Sequence, residues 1–219
     1  MSVLIWDQTG EKTYRTGVDK GVLYLRDKNG AYPKGVAWNG LTKIDESPEG
    51  AEVTPLYADN TEYLNMVSTE KFKYSIGAYM YPDEFAECDG SKEIATGVYA
   101  TAQTRAHFGL CYRNILGNDT LGADYANEIH LVYDSVASPS SKSNSTVNDS
   151  PEASELSWEC STTPVNVTGF KPTAHLVINT SKVDKEKLKA LEDILYGTEA
   201  VEARLPLPDE VISIIGAGA

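Results

Sequence analysis

The sequence predicts a mainly β fold with one flanking α-helix, built as a single domain over residues 1–219. Apolar and polar residues alternate along several segments, and this period of two is typical of half-buried antiparallel strands. One segment alone carries the apolar spacing of an amphipathic helix. Hydrophobic residues make up 41% of the chain, which at this length supports a core without a disulfide or a metal.

The strands are predicted where the alternation is clearest. In residues 71–80, Phe72, Tyr74 and Ile76 point to one face and Lys73 points to the other. The same period marks residues 105–114, 128–134 and 174–178, and a weaker one marks residues 21–26, 35–38, 52–57, 94–101 and 154–160. Strands on both sides of a Ser-rich stretch are too few to form separate domains, so we predict one domain with an insertion.

A helix is predicted over residues 184–196. Asp184 can cap its first turn, and Gly197 stands where a left-handed residue commonly ends a helix. Its apolar stripe consists of Leu188, Leu191, Ile194 and Leu195. The stripe is narrow, which indicates a helix lying against a sheet. Two local features are also predicted: a hairpin turn at residues 27–30, which contain Asn-Gly, and a short helical turn at residues 82–88, with Pro82 in its first position.

Three segments look irregular. Residues 45–60 are acidic and contain two prolines, which favours a long loop. Residues 138–154 are rich in Ser and Asn, which is typical of a mobile insertion loop. Residues 205–219 combine a Pro-rich stretch with an apolar run, so we predict a C-terminal arm. A shorter apolar arm precedes the first strand at residues 3–7.

The charge of the chain excludes several classes of function. The formal net charge is −13, which argues against a basic nucleic-acid-binding surface and against attachment to an anionic membrane. An acidic wall still permits DNA to pass without adhering. The start of the chain, MSVLIWDQTG, carries no basic leader. The three cysteines are widely spaced, so we expect reduced thiols and assembly in a reducing cytoplasm.

No catalytic, cofactor-binding or metal-binding residues are predicted. His107, His130 and His175 sit at polar strand positions, and no Cys or carboxylate stands near them at metal-ligand spacing. Cys111 has the same strand phase as His107, which is a weak indication of a nucleophilic dyad. We therefore expect no enzymatic activity.

Paired carboxylates offer the best argument for an enzyme. An acidic cluster follows the strand at residues 71–80 and consists of Asp83, Glu84, Glu87, Asp89 and Glu93. Glycosidases need two such carboxylates beside a sugar-stacking groove, but the three Trp residues are scattered along the sequence. A solvated acidic surface explains this cluster more simply.

The remaining features indicate subunit association. Terminal arms and a projecting loop commonly pair with or pack on a neighbouring subunit, because unpaired β edges invite pairing. We predict interface residues in the acidic loop and in the C-terminal arm: Asp45, Glu46, Glu49, Glu52, Tyr57, Val211, Ile212, Ile214 and Ile215. The alternative is that the arms fold back on their own domain.

The order of several segments resembles the major tail proteins, or tail tube proteins, of long-tailed phages of Gram-positive bacteria. These segments are YRTGVDKGVLY at 14–24, GVAWNGLT at 35–42, EGAE at 49–52 with YAD at 57–59, KYSIGAYMYPDEF at 73–85, and residues 158–163, 170–181, 184–196 and 205–211. They cover nearly the whole chain. None is a catalytic motif, so the resemblance depends on their number and order.

This resemblance implies a β-sandwich or barrel with a flanking helix, similar to the tube protein of type VI secretion. Six subunits would close into a ring, and rings would stack around a tape-measure protein and meet tail-end proteins. Genome DNA would then pass through an acidic lumen without specific binding. Residues 45–60 would stack the rings, residues 138–154 would face outward, and the protein would reside in the virion tail.

Two other functions stay open from the sequence. A carbohydrate-binding or glycoside-hydrolase β-sandwich would need a leader peptide and an aromatic groove. A phage decoration or adhesion module would need a β-sandwich without ring formation. The oligomeric state distinguishes both from a tube subunit.

Overall fold

The computed structural model describes residues 3–146, 149 and 153–216. Strands hold 45% of the chain and helices hold 12%, so the predicted mainly β fold is confirmed. The described residues form two α-helices, where the sequence predicted one. No helix among the described residues is long and apolar enough to cross a membrane.

The strands follow the chain from Thr13 to Asn179, and the helices come last. The strands are β1 Thr13–Leu25, β2 Gly35–Trp38, β3 Leu41–Glu46, β4 Val53–Ala58, β5 Thr61–Val67, β6 Lys73–Ala78, β7 Lys92–Ala95, β8 Val98–Ala100, β9 Phe108–Asn118, β10 Gly122–Ala137, β11 Leu156–Thr162 and β12 His175–Asn179. The helices are α1 Lys185–Tyr196 and α2 Pro208–Gly216, and a short 3-10 helix spans Asp83–Ala86. Pro82 directly precedes that 3-10 helix, one position earlier than predicted.

Eight strands form one antiparallel sheet in the order β2-β1-β9-β10-β11-β6-β3, with β12 also pairing with β10. The long strand β10 pairs with β12 through residues 128–132 and with β11 through residues 135–137. It changes partner at Asp134, which has a φ of 47°. Asp134 is held there because its backbone N–H donates to the hydroxyl of Tyr32 at 2.9 Å and its carboxylate bonds to His107 at 2.7 Å.

Two apolar cores cover opposite faces of the central strands. The inner core lies within the curled sheet and includes Leu23, Trp38, Tyr74, Ile76, Phe85, Phe108, Leu110, Tyr112 and Trp158. The helix-side core lies between the sheet and the helices and includes Val22, Tyr24, Cys111, Ile129, Leu131, Ile178, Leu191, Leu195, Leu205 and Val211. Alternate residues of one strand therefore enter different cores. The strand predicted as half-buried at residues 105–114 is buried on both faces over residues 108–112.

The predicted helix is confirmed as α1. The carboxylate of Asp184 accepts hydrogen bonds from the backbone N–H groups of Glu186 and Lys187, which are free donors in the first turn. Leu191 and Leu195 are fully buried in the helix-side core. Gly197 follows the helix with a φ of 76°, which is a backbone region that favours glycine.

The C-terminal segment, predicted as an arm that meets a neighbouring subunit, forms the helix α2 and folds back on its own domain, which was the alternative. α2 packs on α1, and Val211 is buried at 3% exposure in the helix-side core. Ile214 and Ile215 also pack there. Their spacing of three and four residues from Val211 is the period of a helix, although we interpreted it as a short apolar run. Residues 217–219 lie outside the described part of the chain.

The acidic segment 45–60 is also not a loop. Its first residues complete β3, and β4 pairs with β5 to form a hairpin over residues 53–67, which we call the projecting hairpin. Asp59 and Asn60 both have positive φ, at 50° and 60°, and two such residues form the tight turn that hairpins favour. The sequence signal was therefore Asp-Asn, which we overlooked beside the prolines.

At two further segments the structure adds detail to the predicted elements. Residues 94–101, predicted as one strand, contain most of a small hairpin formed by β7 and β8, with Gly97 in its turn at a φ of 75°. In the predicted insertion loop 138–154, the residues that are described hold no strand or helix. Residues 147, 148 and 150–152 of that loop lie outside the described part of the chain.

Candidate interaction surface and histidine cluster

No residue of the projecting hairpin is buried. Every residue from 45 to 71 is exposed, although many residues of the hairpin strands are apolar. The large apolar ones are Val53, Leu56, Tyr57, Tyr63, Leu64, Met66 and Val67. A hairpin of two strands is at best marginally stable alone in water. The projecting hairpin therefore lacks the covering layer that stabilises the eight-stranded sheet.

Apolar side chains occupy both faces of the projecting hairpin. Leu56 pairs directly with Leu64, and Val53 pairs directly with Val67. Because successive residues of a strand point to opposite faces, the leucine pair and the valine pair lie on different faces. Covering only one face would leave the other in water. A partner that stabilises this hairpin must therefore surround it or contact it from two sides.

The predicted acidic interface residues lie at the base of the projecting hairpin. We call residues 47–52 and 68–72 the neck. Glu49 forms backbone hydrogen bonds with Lys71 across the neck, and its carboxylate lies 2.6 Å from the Nζ of Lys73. The backbone N–H of Glu52 donates to the hydroxyl of Ser68 at 3.0 Å. These contacts join the two chain segments of the neck at the base of the hairpin.

The other predicted interface residues divide between two environments. Asp45 and Glu46 end β3 and are exposed, and Tyr57 stands on the projecting hairpin with 69% of its surface exposed. In α2, Ile212 is 43% exposed, whereas Val211 is buried and Ile214 and Ile215 are half-buried. Three of these four α2 residues are therefore partly or fully buried within their own chain.

Two other apolar elements are exposed. Val3, Leu4, Ile5 and Trp6 precede β1, and each exposes more than two thirds of its surface. The β7–β8 hairpin exposes Ile94, Val98 and Tyr99. A cleft of about 790 Å³ opens beside the neck, between Val67 and Phe72 on one side and Pro164 and Pro172 on the other. The molecule thus carries several separate apolar surfaces.

Two histidines and one glutamate converge where β3, β10 and β12 meet. We call Glu46, His130 and His175 the histidine cluster. The Nδ1 atom of His130 lies 3.0 Å from the Nε2 atom of His175 and 3.5 Å from the Oε1 atom of Glu46. Aromatic rings hold both imidazoles, since Tyr112 stacks on His130 at 4.5 Å and Phe72 stacks on His175 at 4.2 Å. The hydroxyl of Tyr112 donates to Glu46 Oε1 at 2.8 Å.

Burial keeps both imidazoles of the cluster neutral. Only 1% of the His130 surface is exposed. Burial, with a smaller contribution from His175, lowers the pKa of His130 to about 4. Burial also lowers the pKa of His175, while the nearby Glu46 carboxylate opposes that shift. Sequence reasoning missed this cluster because its members lie on three strands, and only the strand pairing brings them together.

The weak Cys111–His107 dyad is not formed. His107 bonds to Asp134, while Cys111 is fully buried in the helix-side core. Burial raises the pKa of the Cys111 thiol to about 12, so the thiolate needed for nucleophilic attack is not present at neutral pH. All three cysteines are free and buried, as predicted.

The acidic cluster after β6 is divided between buried and exposed positions. Asp89 is buried, where it accepts hydrogen bonds from Trp158 Nε1 at 3.0 Å and from Lys142 Nζ at 2.5 Å. Trp38 and Trp158 pack on Phe85 in the inner core, with ring centroids 4.6 and 5.2 Å from it. These two Trp rings therefore have no face available for stacking on a sugar.

Comparison with known proteins adds no relative. No family model matches the chain, and no curated protein matches it significantly.

Proposed function

We propose that the chain is the structural subunit of a phage tail tube. In this proposal six copies close into a ring, and rings stack around a tape-measure protein and meet tail-end proteins. The tube delivers genome DNA in the virion tail after assembly in the host cytoplasm. The observation that carries the proposal is the projecting hairpin, which is apolar on both faces and exposed throughout.

Energetics favour a protein partner for the projecting hairpin. Burying apolar surface gains roughly 25 cal/mol per Å², and seven large apolar side chains of the hairpin are exposed. Exposed apolar patches of this kind commonly mark interaction sites. A partner that encloses both faces gives the hairpin the covering layer that its own chain does not supply.

A second copy of the chain is the partner that fits best. The N-terminal segment 3–6 and the β7–β8 hairpin are separate apolar surfaces of the same chain. When one surface of a subunit binds a different surface of the next, the contact repeats and generates closed rings or filaments. A tube of stacked rings needs contacts that close each ring and contacts that join one ring to the next. Several distinct surfaces of the chain would supply these contacts.

The layered sheet supports the finer expectation of a β-sandwich or barrel of the phage tail tube and type VI secretion tube type. Trp38 of β2 and Trp158 of β11 stand far apart in the strand order, yet their rings lie 6.1 Å apart. The sheet curves enough to bring these two rings together in the inner core. β2 and β3 end the strand order, and such edges can pair with a neighbouring subunit.

The charge of the chain supports a conduit for DNA. A net charge of −13 gives repeated copies a strongly negative surface. Such a surface repels phosphate and lets DNA slide past without adhering. No specific observation favours a carbohydrate-binding or glycoside-hydrolase protein, because Trp38 and Trp158 are buried. None favours a decoration or adhesion module either, and ring formation would distinguish a tube subunit from such a module.

Electron microscopy of the purified chain tests the proposal. Negative stain over a series of protein and salt concentrations should show six-fold rings with a central hole, or tubes. A Leu64→Asp variant places a charge on the projecting hairpin and should remain folded but unassembled. A Leu121→Asp variant changes an exposed leucine outside the hairpin and should assemble normally. A monomer under every condition, combined with saccharide binding, would contradict the proposal.

A further inference from the structure

The histidine cluster has the composition of a metal site. Glu46 Oε1, His130 Nδ1 and His175 Nε2 all lie within 4.8 Å of one another. Imidazole nitrogen and carboxylate oxygen are donors that Zn²⁺ takes in proteins, and two His with one Glu is a known set of three protein ligands. We propose that these three side chains bind a divalent transition-metal ion, with Zn²⁺ as the fitting example.

The distances suit a tetrahedral ion. Bonds of about 2.0–2.2 Å from Zn²⁺ to nitrogen or oxygen place neighbouring ligand atoms of a tetrahedron roughly 3.3 Å apart. The two separations from His130 Nδ1 are 3.0 Å to His175 and 3.5 Å to Glu46. Only Glu46 and His175 need to approach each other, and Glu46 is exposed at the end of β3, where its side chain has room to move.

The surroundings of His130 favour its Nδ1 atom as the metal ligand. Its Nε2 atom is buried without a hydrogen-bond partner and lies 4.0 Å from the carboxylate of Glu128. A proton on Nε2 would face this carboxylate and would leave the lone pair of Nδ1 directed at the cluster. Metal-binding histidines commonly donate their second N–H to a carboxylate, and Glu128 would take this role by approaching Nε2. Arg15 also pairs with this carboxylate.

The aromatic neighbours hold the ligands in place. Tyr112 stacks on His130 and donates its hydroxyl to Glu46, so one side chain orients two ligands. Phe72 stacks on His175. Such supporting contacts tune metal affinity. The three protein ligands leave a fourth position, which water can reach along the exposed side of Glu46.

A bound ion would connect three strands at the base of the projecting hairpin. Glu46 is the last residue of β3, directly before the neck, while His130 and His175 lie in β10 and β12. The ion would therefore tie the start of the neck to the body of the sheet. This inference is independent of the proposed tube, because it concerns residues within one chain.

Zinc titration of the full chain tests the inference. The protein is prepared without a histidine tag, stripped with EDTA and dialysed, and is then titrated with ZnCl₂ by calorimetry, with bound metal counted by mass spectrometry. We expect one tightly bound ion per chain. His175→Gln and Glu46→Gln should each abolish the tight site, and circular dichroism shows whether these variants remain folded. Glu46→Gln keeps the test valid if His175→Gln fails to fold, because Glu46 is exposed.

His107 provides the matched control, because it is the one histidine of the chain outside the cluster. His107→Gln should keep the affinity of the wild type. Tyr112→Phe should weaken binding by about tenfold, the effect typical of losing a supporting hydrogen bond. Co²⁺ in place of Zn²⁺ should give the intense visible absorption of a tetrahedral site.

Two results would overturn the inference. One is the absence of a stoichiometric ion in the wild type, which would leave the 3.0 Å contact as a hydrogen bond between two imidazoles. The other is equal loss of binding in His107→Gln and His175→Gln, which would indicate nonspecific attraction of cations to an acidic chain.

Discussion

The helix-covered strands and the projecting hairpin contain similar proportions of apolar residues, but those residues lie in opposite environments. In β9 and β10, apolar residues enter a core on each face, because the curled sheet covers one side and α1 and α2 cover the other. In β4 and β5, the apolar residues are as frequent but remain in water. The body is therefore complete within one chain, whereas in the proposed tube the hairpin is completed by a second copy of the chain.

The largest expected effect on stability comes from the covered region. Leu195→Ala removes a fully buried side chain that α1 contributes to the helix-side core. Such substitutions typically cost about 2–5 kcal/mol of unfolding free energy, because a cavity remains. Urea denaturation of the two proteins measures the loss. A loss below about 1 kcal/mol, which is closer to the cost of a surface change, would mean that α1 does not seal the core.

The next effect depends on pH. Unfolded His130 gains a proton near pH 6.5, whereas in the folded chain its pKa is about 4. The unfolded state therefore binds more protons between these values, and stability falls as the pH falls through this window. The full loss is about 3 kcal/mol at and below pH 4, at 1.36 kcal/mol per pKa unit.

Denaturation at pH 7 and pH 5 measures this effect in the presence of EDTA, so that no metal contributes. His130→Gln removes one of the two buried titrating imidazoles and should reduce the difference between the two pH values, while His175 retains its own smaller share. An unchanged difference in that variant would assign the pH dependence to other groups.

A smaller effect is expected at the start of α1. Asp184→Ala removes the side chain that accepts from the N–H groups of Glu186 and Lys187. Loss of such a cap costs about 1 kcal/mol. Asp184→Asn keeps an acceptor and should retain most of the stability. Equal losses in both variants would mean that the charge, and not the hydrogen bonds, stabilises the helix.

The smallest expected effect on stability lies in the projecting hairpin. Leu64→Ala changes a side chain that packs against nothing in the body of its own chain. Surface substitutions usually stay within about 0.5 kcal/mol, so the free energy of unfolding of the monomer should not change measurably. A loss as large as that of Leu195→Ala would refute the idea that the hairpin is separate from the body.

The sequence predicted what local patterns encode. Alternation identified β6, β9 and β10, and the spacing of Leu191 and Leu195 with the cap at Asp184 identified α1. The helix α2 escaped because Val211, Ile214 and Ile215 were interpreted as a run and not by their spacing. In the projecting hairpin, the weaker strand predicted at residues 52–57 matches β4, but β5 was not predicted, because acidic residues and prolines suggested a loop over residues 45–60.

The histidine cluster was not accessible from the sequence, for a physical reason. His130 and His175 meet through the pairing of β10 with β12, and Glu46 reaches them from β3. Such contacts are decided by how the sheet folds and not by spacing along the chain. The polar strand position of His130 suggested exposure, but strands that are covered on both faces bury their polar positions too.

Replacing the projecting hairpin tests the central claim most directly. Glu52 and Ser68 are hydrogen-bonded across the neck, so a Gly-Gly link in place of residues 53–67 should close the neck without disturbing the body. Sedimentation velocity and electron microscopy then compare the variant with the wild type. We predict rings or tubes for the wild type and a folded monomer for the variant. Identical assembly of both proteins would contradict the claim that the hairpin joins one copy of the chain to another.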